Sequence, residues 1–277
     1  MEIKCNNSGL KFSNNSDLVF FLGLNVLEDD INIINETVSE IKNISKNFGI
    51  NFCFKASFDK ANRSSKFSYR GIGIEKSLKT FDYIKSEFNV PIISDIHEKE
   101  QVEIFQDYID IFQLPAFLAR QTDLVEALAN SGKVINVKKP QFLSPYQVFN
   151  IYEKFKEFNN PNILICERGT SFGYDNLVVD FIGFDVIKKM LNNIPIIFDV
   201  THSLQIREIG SAQSGGRRGS TKTLASAAVA TKIAGLFIET HPDVKMAKCD
   251  AESAYPLQNL ASLVSHVLKI DKIVKNE

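Results

Sequence analysis

Eight short apolar runs recur along this chain, and longer stretches with helical periodicity separate them. Segments such as VSEIKNISKNF after the first run and LVEALANSG after the fourth have the spacing of amphipathic helices. Runs this continuously apolar are typical of strands that are covered on both faces, as in parallel sheets. The runs are residues 18–24, 51–57, 91–96, 109–115, 134–139, 162–168, 195–202 and 235–241.

Eight strand–helix units in one chain predict an α/β fold, namely a closed (β/α)8 TIM barrel. An open doubly wound sheet is the alternative, but no GxGxxG motif follows the first run. The chain has 277 residues, 44% of them hydrophobic, which suffices for one such core, and no linker divides it. We therefore predict a single domain over residues 1–277, with an N-terminal cap, read as a hairpin, over 1–17 and the barrel over 18–277.

Composition argues against several classes of partner. The formal net charge is -1 and no block of like charges occurs, so neither nucleic acid nor a membrane is expected as a partner. Cys5, Cys53, Cys166 and Cys249 form no CxxC pair, which argues against a disulfide framework or a structural zinc site. The N-terminus lacks the pattern of a secretion signal, and the apolar runs are too short to span a bilayer. A cytoplasmic enzyme is expected.

Polar side chains are concentrated where the predicted strands end, and in a TIM barrel these ends meet at one mouth. Any one of them alone could cap a helix or pair on the surface, and this is the favoured interpretation for five of them taken singly, namely Asp59, His97, Glu167, Asp199 and His241. Several lysines and arginines in one mouth would repel each other unless anions fill it, which predicts a ligand with several negative charges, such as two phosphate esters. The side chains are Asn25, Lys55, Ser57, Asp59, Lys60, Asn62, Arg63, Ser64, Asp95, His97, Gln113, Lys138, Gln141, Glu167, Arg168, Asp199, His202, Glu239 and His241.

These residues stand in sequence blocks that resemble one family, the 3-deoxy-D-manno-octulosonate 8-phosphate (KDO-8-phosphate) synthases. The blocks run almost from end to end, and KASFDKANRSS is highly specific. The others are FFLGLNVLE, SDIHE, FQLPAFLARQTDL, INVKKPQF, CERGTSFGYDNLVVD, PIIFDVTHSLQ, GLFIETHPD and CDAESAYPL. The resemblance implies a transferase that condenses phosphoenolpyruvate with D-arabinose 5-phosphate. The products would be the eight-carbon sugar acid phosphate and phosphate, on the route to the lipopolysaccharide inner core.

The resemblance also implies roles for individual residues. The set for phosphoenolpyruvate is Lys138 and Arg168 at its phosphate, with Lys55, Ser57, Lys60 and Gln141 near its carboxylate and reacting carbons. The set for the sugar phosphate is Asn62, Arg63, Ser64, Asp95, Gln113 and Arg120. Arg120 would reach that phosphate from a neighbouring subunit, which implies a homo-oligomer, and the family is usually tetrameric.

One position divides the family into metal-dependent and metal-independent branches. Metal users resemble PCxxES after the first strand, whereas this chain has LNVLE, so Asn25 stands where the cysteine ligand would be. The other three ligand positions, His202, Glu239 and Asp250, are retained. A neutral amide is a poor substitute for a thiolate as a ligand of Zn²⁺ or Fe²⁺. The resemblance therefore implies the metal-independent branch, with no metal and no cofactor.

The predicted catalytic set is Lys60, His202, Asp250 and Asn25. Lys60 would assist the aldehyde oxygen, and the other three would orient water or the aldehyde hydroxyls by hydrogen bonding. His202 has a suitable reference pKa for a general base, but an orienting role for the neutral ring is an equal alternative.

The chain departs from the family pattern at two places, and it has one glycine-rich loop near the predicted site. RGIG stands where RGPG is usual, which places Ile72 at the proline position, and Ala251 with Glu252 replaces Gly-Pro. The glycine-rich loop 213–219 could close over the substrates and bring Arg217 and Arg218 to the anions. A solvated loop is the equal alternative.

Two other functions are the alternatives. A related synthase would use erythrose 4-phosphate, against which KANRSS and the absent cysteine argue. A non-catalytic phosphosugar-binding or scaffold barrel would not need to keep Lys60, His202 and Asp250 together.

Overall fold

A closed barrel of eight parallel strands forms the centre of the molecule, as a computed structural model describes it for residues 1–63, 65–172, 176–206 and 215–276. Each strand pairs in parallel with the next, and the eighth pairs with both the seventh and the first, so the sheet closes. The predicted (β/α)8 barrel is confirmed. The strands are β1 (Val19–Val26), β2 (Asn51–Ser57), β3 (Ile92–Asp95), β4 (Ile111–Leu114), β5 (Val134–Lys138), β6 (Ile163–Glu167), β7 (Ile196–Asp199) and β8 (Gly235–His241).

Helices surround the barrel, one after each strand. In α1, the side chain of Asp30 accepts the main-chain N–H of Asn32, and Gly49 ends the helix in the left-handed conformation. Its apolar face, including Val38 and Ile41, is buried against the barrel, as the helical periodicity predicts. The helices are α1 (Ile31–Phe48), α2 (Ile74–Phe88), α3 (Lys99–Phe105), α4 (Thr122–Asn130), α5 (Val148–Glu157), α6 (Phe181–Met190), α7 (Thr221–Ala230) and α8 (Leu257–Lys275).

Shorter elements lie in the connections. A one-turn α-helix, Val200–Ser203, follows β7, and 3-10 turns cover Ala116–Leu118, Pro145–Gln147 and Arg218–Ser220. Thr170–Ser171 pairs with Leu177–Val178, Gln205–Ile206 pairs with Gly215–Gly216, and Tyr255–Pro256 extends the sheet beside β8. No helix in the described part of the chain is long and apolar enough to cross a membrane.

The amino-terminal hairpin, Ile3–Cys5 and Leu10–Phe12, lies against the lower interior of the barrel. Phe12 is fully buried, and its ring lies 5.7 Å from that of Phe21 on β1, centroid to centroid. The hairpin shares a core with the first inward-facing residues of all eight strands. It therefore covers the bottom of the barrel, which leaves the top for ligands.

The interior of the barrel changes from apolar to polar from bottom to top. Side chains alternate along each strand, so every second residue faces inward. Phe21 of β1 and Phe237 of β8 belong to the apolar interior core, and Asn25 and Glu239 follow them at even spacing. The same alternation leads from Cys53 to Lys55 and Ser57 on β2. Polar groups from many strands therefore converge at the top.

The seventh strand is shorter than the predicted run over 195–202. It ends at Asp199, whose carboxylate accepts the main-chain N–H of His202 at 2.9 Å and caps the helix Val200–Ser203. An N-cap aspartate ends the extended conformation because its side chain satisfies a free N–H of the first helical turn. His202 therefore lies on a helical turn and not on a strand.

Candidate active site

Lys55, Glu239 and Asn25 form a buried cluster between β1, β2 and β8. The Lys55 ammonium donates to the carboxylate of Glu239 and, at 2.6 Å, to the main-chain oxygen of Asn25. Lys55 is 1% exposed, and burial lowers its pKa to about 8. Burial would raise the pKa of Glu239, but His202, Lys55 and Lys60 lower it to about 2. Both members of the pair are therefore charged at neutral pH.

A glycine in β1 makes this cluster possible. A Cβ at Gly23 would overlap the main-chain oxygen of Lys55, and the residue has φ +154°. The register between β1 and β2 shifts between Gly23 and Val26, which is a β-bulge. The close approach of the two strands brings the Asn25 carbonyl to the Lys55 ammonium.

Lys138, Asp199 and His202 form a second buried cluster. The carboxylate of Asp199 accepts from the Lys138 ammonium and, at 2.6 Å, from Nδ1 of His202. His202 and Lys138 outweigh the effect of burial and hold the pKa of Asp199 below its usual range. An ionised carboxylate can only accept, so Nδ1 of His202 carries a proton and Nε2 faces Glu239 and Asp250.

Lys60 lies among carboxylates without a direct ion pair among the described residues. Burial alone would lower its pKa, but the nearby charges of Glu239, Asp95 and Asp250 outweigh burial and raise it. Asp95 in turn accepts from Nε2 of His97 at 2.9 Å, and His97 and the lysines lower its pKa against the effect of burial. Lys60 therefore stays protonated and is not tied to one partner.

Three possible metal ligands, His202, Glu239 and Asp250, offer atoms that all lie within 4.8 Å of one another. His202 Nε2 is 3.6 Å from Glu239 Oε2 and 4.0 Å from Asp250 Oδ2. The Asn25 amide nitrogen donates to Glu239 and, at 2.9 Å, to Asp250. Three positions are thus compatible with a divalent cation, but at the fourth an N–H₂ donor faces the carboxylates.

Three of the residues predicted from the sequence to bind phosphoenolpyruvate each have a buried polar atom. None of these atoms has a hydrogen-bond partner in the described part of the chain. They are Ser57 Oγ, Gln141 Oε1 and Arg168 Nε. Arg168 donates through its Nη2 to Gln205 at 2.9 Å. Buried polar groups without partners are costly, so this set is suited to a polar ligand.

The predicted repulsion between the lysines of the mouth is largely offset by carboxylates of the chain itself. The sequence predicted that the lysines of the mouth would repel each other unless anionic ligands filled it. Instead, Lys55 is paired with Glu239 and Lys138 with Asp199. Alternation along β7 and β8 places these carboxylates in the same interior as the lysines, so part of the positive charge is balanced within the chain.

The candidate sugar-phosphate residues are less concentrated. Asn62 is exposed, Arg63 is half-buried with its Nε unpartnered within the described ranges, and Ser64 lies outside the described residues. Asp95 and Gln113 lie inside the barrel, where Gln113 accepts from Asn136 at 3.2 Å. Arg120 is exposed in the turn before α4.

The loop 213–219 and the two departures from the family pattern, Ile72 and Ala251 with Glu252, make mostly local contacts. Residues 213 and 214 lie outside the described residues, and Arg217 and Arg218 donate to main-chain carbonyls, those of Leu177, Ser203 and Ala251. Gly216 packs on the backbone of Glu252, whose side chain is exposed. The charge of Glu252 therefore faces solvent, and Ile72 packs half-buried against the core.

Four other residues at or near the ends of the strands fall into two groups. Two have partners outside the clusters described above, and two are buried in the site region although the sequence assigned them no role. Asp59 pairs with Arg70 near the surface, and His241 lies 3.3 Å from Glu28. Asp199 and Asn136 are fully buried in the site region, but neither was assigned a role from the sequence. Strict alternation with Lys138 on β5 would have identified Asn136 as inward-facing.

Comparison with known proteins places this site in a family. The model of the DAHP synthetase I family matches residues 2–276. The chain belongs to this family. Among its relatives are proteins named 2-dehydro-3-deoxyphosphooctonate aldolase. The one from Janthinobacterium sp. (strain Marseille) is 52% identical over 270 residues, which cover 98% of this chain and 96% of that protein. The one from Bordetella avium (strain 197N) is 52% identical over 97% of this chain and 95% of that protein. This DAHP synthetase I member is thus similar to these aldolases over nearly its whole length.

Proposed function

We propose that this chain condenses phosphoenolpyruvate with D-arabinose 5-phosphate and water to give 3-deoxy-D-manno-octulosonate 8-phosphate and phosphate. The observation that carries the proposal is the convergence of Lys55, Lys138, Arg168 and His202 on one mouth of the barrel. The names of the relatives and their 52% identity over nearly the full chain support the choice of substrates. The product would serve the lipopolysaccharide inner core.

The substrates would bind side by side across the mouth. Lys138 and Arg168 would hold the phosphate of phosphoenolpyruvate through charge-assisted hydrogen bonds. Lys55, Ser57, Lys60 and Gln141 would surround its carboxylate and reacting carbons. The aldose phosphate would be received by the other predicted set, namely Asn62, Arg63, Ser64, Asp95, Gln113 and Arg120 of a neighbouring subunit.

In the proposed reaction, C3 of phosphoenolpyruvate forms the new carbon–carbon bond with the sugar aldehyde. The aldehyde oxygen gains negative charge and takes a proton, for which Lys60 is the proposed donor. Water adds to C2 and loses a proton, and the resulting hemiketal phosphate expels phosphate to leave the keto group. Fixed donors in a water-poor site stabilise such charge. His202, Asp250 and Asn25 would orient the water or the aldehyde hydroxyls.

We further propose that the reaction needs no metal ion. The Asn25 amide bridges Glu239 and Asp250, and the other oxygen of Glu239 accepts from Lys55. Since the amide donates to both carboxylates, it does by hydrogen bonding what a shared cation would do. A metal would have to displace these donors without gaining a thiolate ligand.

An assay with two sugars and a chelator tests the function. With phosphoenolpyruvate present, we expect phosphate and keto-acid to form with arabinose 5-phosphate, at the same rate before and after treatment with EDTA or dipicolinate. Erythrose 4-phosphate should react far more slowly. A preference for erythrose 4-phosphate, or phosphate release without a sugar, would contradict the proposed function. Loss of activity to chelator, with recovery on adding divalent metal, would contradict metal independence alone.

We also propose that the chain forms a tetramer in which Arg120 completes a neighbouring site. Large apolar side chains are exposed in α5, in α6 and in the connections that precede α4 and α5, which is typical of an association surface. They are Phe117 (45% exposed), Phe142 (55%), Tyr146 (68%), Phe149 (41%) and Ile182 (79%).

We propose in addition that the hairpin and the barrel form one domain. We also propose that the protein is cytoplasmic, because its four buried free cysteines suit a reducing compartment.

Mixing two defective variants tests the shared site. Arg120→Ala and Arg63→Ala should each raise the KM for the sugar phosphate, while the native mass stays at four times 31.2 kDa. When the two are mixed and allowed to exchange subunits, some sites have both arginines from different chains, and activity should recover. A monomeric mass in light scattering, or no recovery despite proven exchange, would contradict the proposal.

A further inference from the structure

Lys139 and Glu167 form a buried ion pair that the proposed reaction does not use. Each is the immediate neighbour in sequence of a proposed phosphate-binding residue, Lys138 or Arg168. Their side chains are 0% and 4% exposed, and Nζ lies 3.6 Å from Oε2. Removing two charges from water is costly, and apolar residues of similar size are often at least as stabilising. The pair therefore calls for an explanation other than stability.

The hydrogen bonds of Lys139 connect two loops at the top of the barrel. Its ammonium donates to the main-chain oxygens of Pro140 at 3.2 Å and Leu143 at 3.1 Å, and to Thr170 Oγ1 at 3.2 Å. An ammonium has three protons, so all of them are used. Two bonds hold the loop that carries Gln141, and the third holds the loop after β6.

The carboxylate of Glu167 shapes the turn from which the Arg168 side chain leaves. Its Oε1 accepts the main-chain N–H groups of Arg168 at 2.9 Å and Gly169 at 2.7 Å. Gly169 has φ +88°, a conformation that favours glycine. In addition, the N–H of Ser171 donates to the main-chain oxygen of Gln141 at 2.9 Å, which ties the two loops directly.

We propose that Lys139 and Glu167 are a positioning pair, which fixes Arg168 and Gln141 relative to each other for phosphoenolpyruvate without touching the substrate. This inference rests on the proposed function. Since the pair holds only the loops after β5 and β6, it acts on one substrate. The proposed sugar-phosphate residues of the loop after β2, such as Arg63, have no bond to it among the described residues.

The double variant Lys139→Met, Glu167→Leu tests the pair. It removes both charges together, so no unpaired charge is left buried, but the N–H groups of Arg168 and Gly169 lose their acceptor and the melting temperature should fall. We expect the KM for phosphoenolpyruvate to rise about tenfold or more, because misplaced binding groups lose much of their effect. The KM for arabinose 5-phosphate should stay within about twofold of the wild-type value, since its contacts are independent of the pair.

A matched control exists in α8. Lys275 pairs with Asp271 at 2.7 Å and donates to the main-chain oxygens of Ser16 and Ile233, with both side chains 7% exposed or less. Lys275→Met, Asp271→Leu should leave both KM values unchanged. An unchanged KM for phosphoenolpyruvate in the Lys139, Glu167 double variant, equal rises for both substrates, or the same selective rise in the control would overturn the proposal.

A binding measurement covers the case in which the double variant does not fold. Glu167→Gln keeps an acceptor for the two N–H groups but loses the charge that faces Lys139. Calorimetry with phosphoenolpyruvate alone should give a higher Kd than for the wild type, and an unchanged Kd would overturn the proposal. Because this titration needs no turnover, it tests the pair separately from the proposed function, which is tested by the product assay with the wild type.

Discussion

Lys60→Ala should lower kcat by about 10²–10³-fold, the usual effect of removing one fixed donor at a site of developing charge. Lys60 is 9% exposed, and Glu239, Asp95 and Asp250 raise its pKa above the ordinary value, so it is protonated at neutral pH. A protonated amine without a fixed partner among the described residues is free to meet the aldehyde oxygen. Steady-state kinetics with both substrates saturating measures the effect.

The control for this variant lies in the same loop. Lys66 is exposed, so Lys66→Ala should leave kcat within about twofold of the wild-type value. Melting curves of both variants would show whether the fold is kept. Near-normal turnover by Lys60→Ala would remove Lys60 from the mechanism.

Asn25→Cys should convert the site into a tight metal centre. His202, Glu239 and Asp250 already offer ligand atoms within 4.8 Å of one another, and a thiolate at position 25 would complete a four-ligand set for zinc. The purified variant should contain roughly one zinc or iron ion per chain. Metal analysis after dialysis is the measurement, and the wild type should retain far less.

Asn25→Ser is the matched control, because it also removes the amide bridge between Glu239 and Asp250 but supplies no thiolate. It should stay free of tightly bound metal and lose activity. If Asn25→Cys also bound no metal after exposure to zinc, or if the wild type bound it equally well, the role given to position 25 would be wrong.

The strands and their order were predictable because the signal is local. Each barrel strand lies within or close to one of the eight apolar runs, and β2 and β8 coincide with theirs. The error at the seventh run has a local cause as well. Asp199 begins a helical turn there, and a short capped turn is difficult to distinguish from the end of an apolar strand.

The membership of the site was only partly predictable. From their positions at strand ends, Asn25, Lys55, Lys138 and Glu239 were predicted to lie together, and they do. The prediction took too little account of whether each side chain faces into the barrel. Asn136 was missed although it alternates with Lys138. Asp59, for which helix capping or surface pairing was the favoured interpretation, pairs with Arg70 near the surface.

By itself, the sequence determined the barrel and the polar character of its upper end, since both follow from residue types repeated at short and regular spacing. Only the tertiary structure decided which charges balance each other. Lys55 and Glu239 are 184 positions apart, and Lys138 and Asp199 are 61 apart. They meet because closing the barrel brings β8 next to β1 and turns alternate side chains into one interior. No local pattern specifies partners across such separations, so the arrangement of charges is a property of the closed fold.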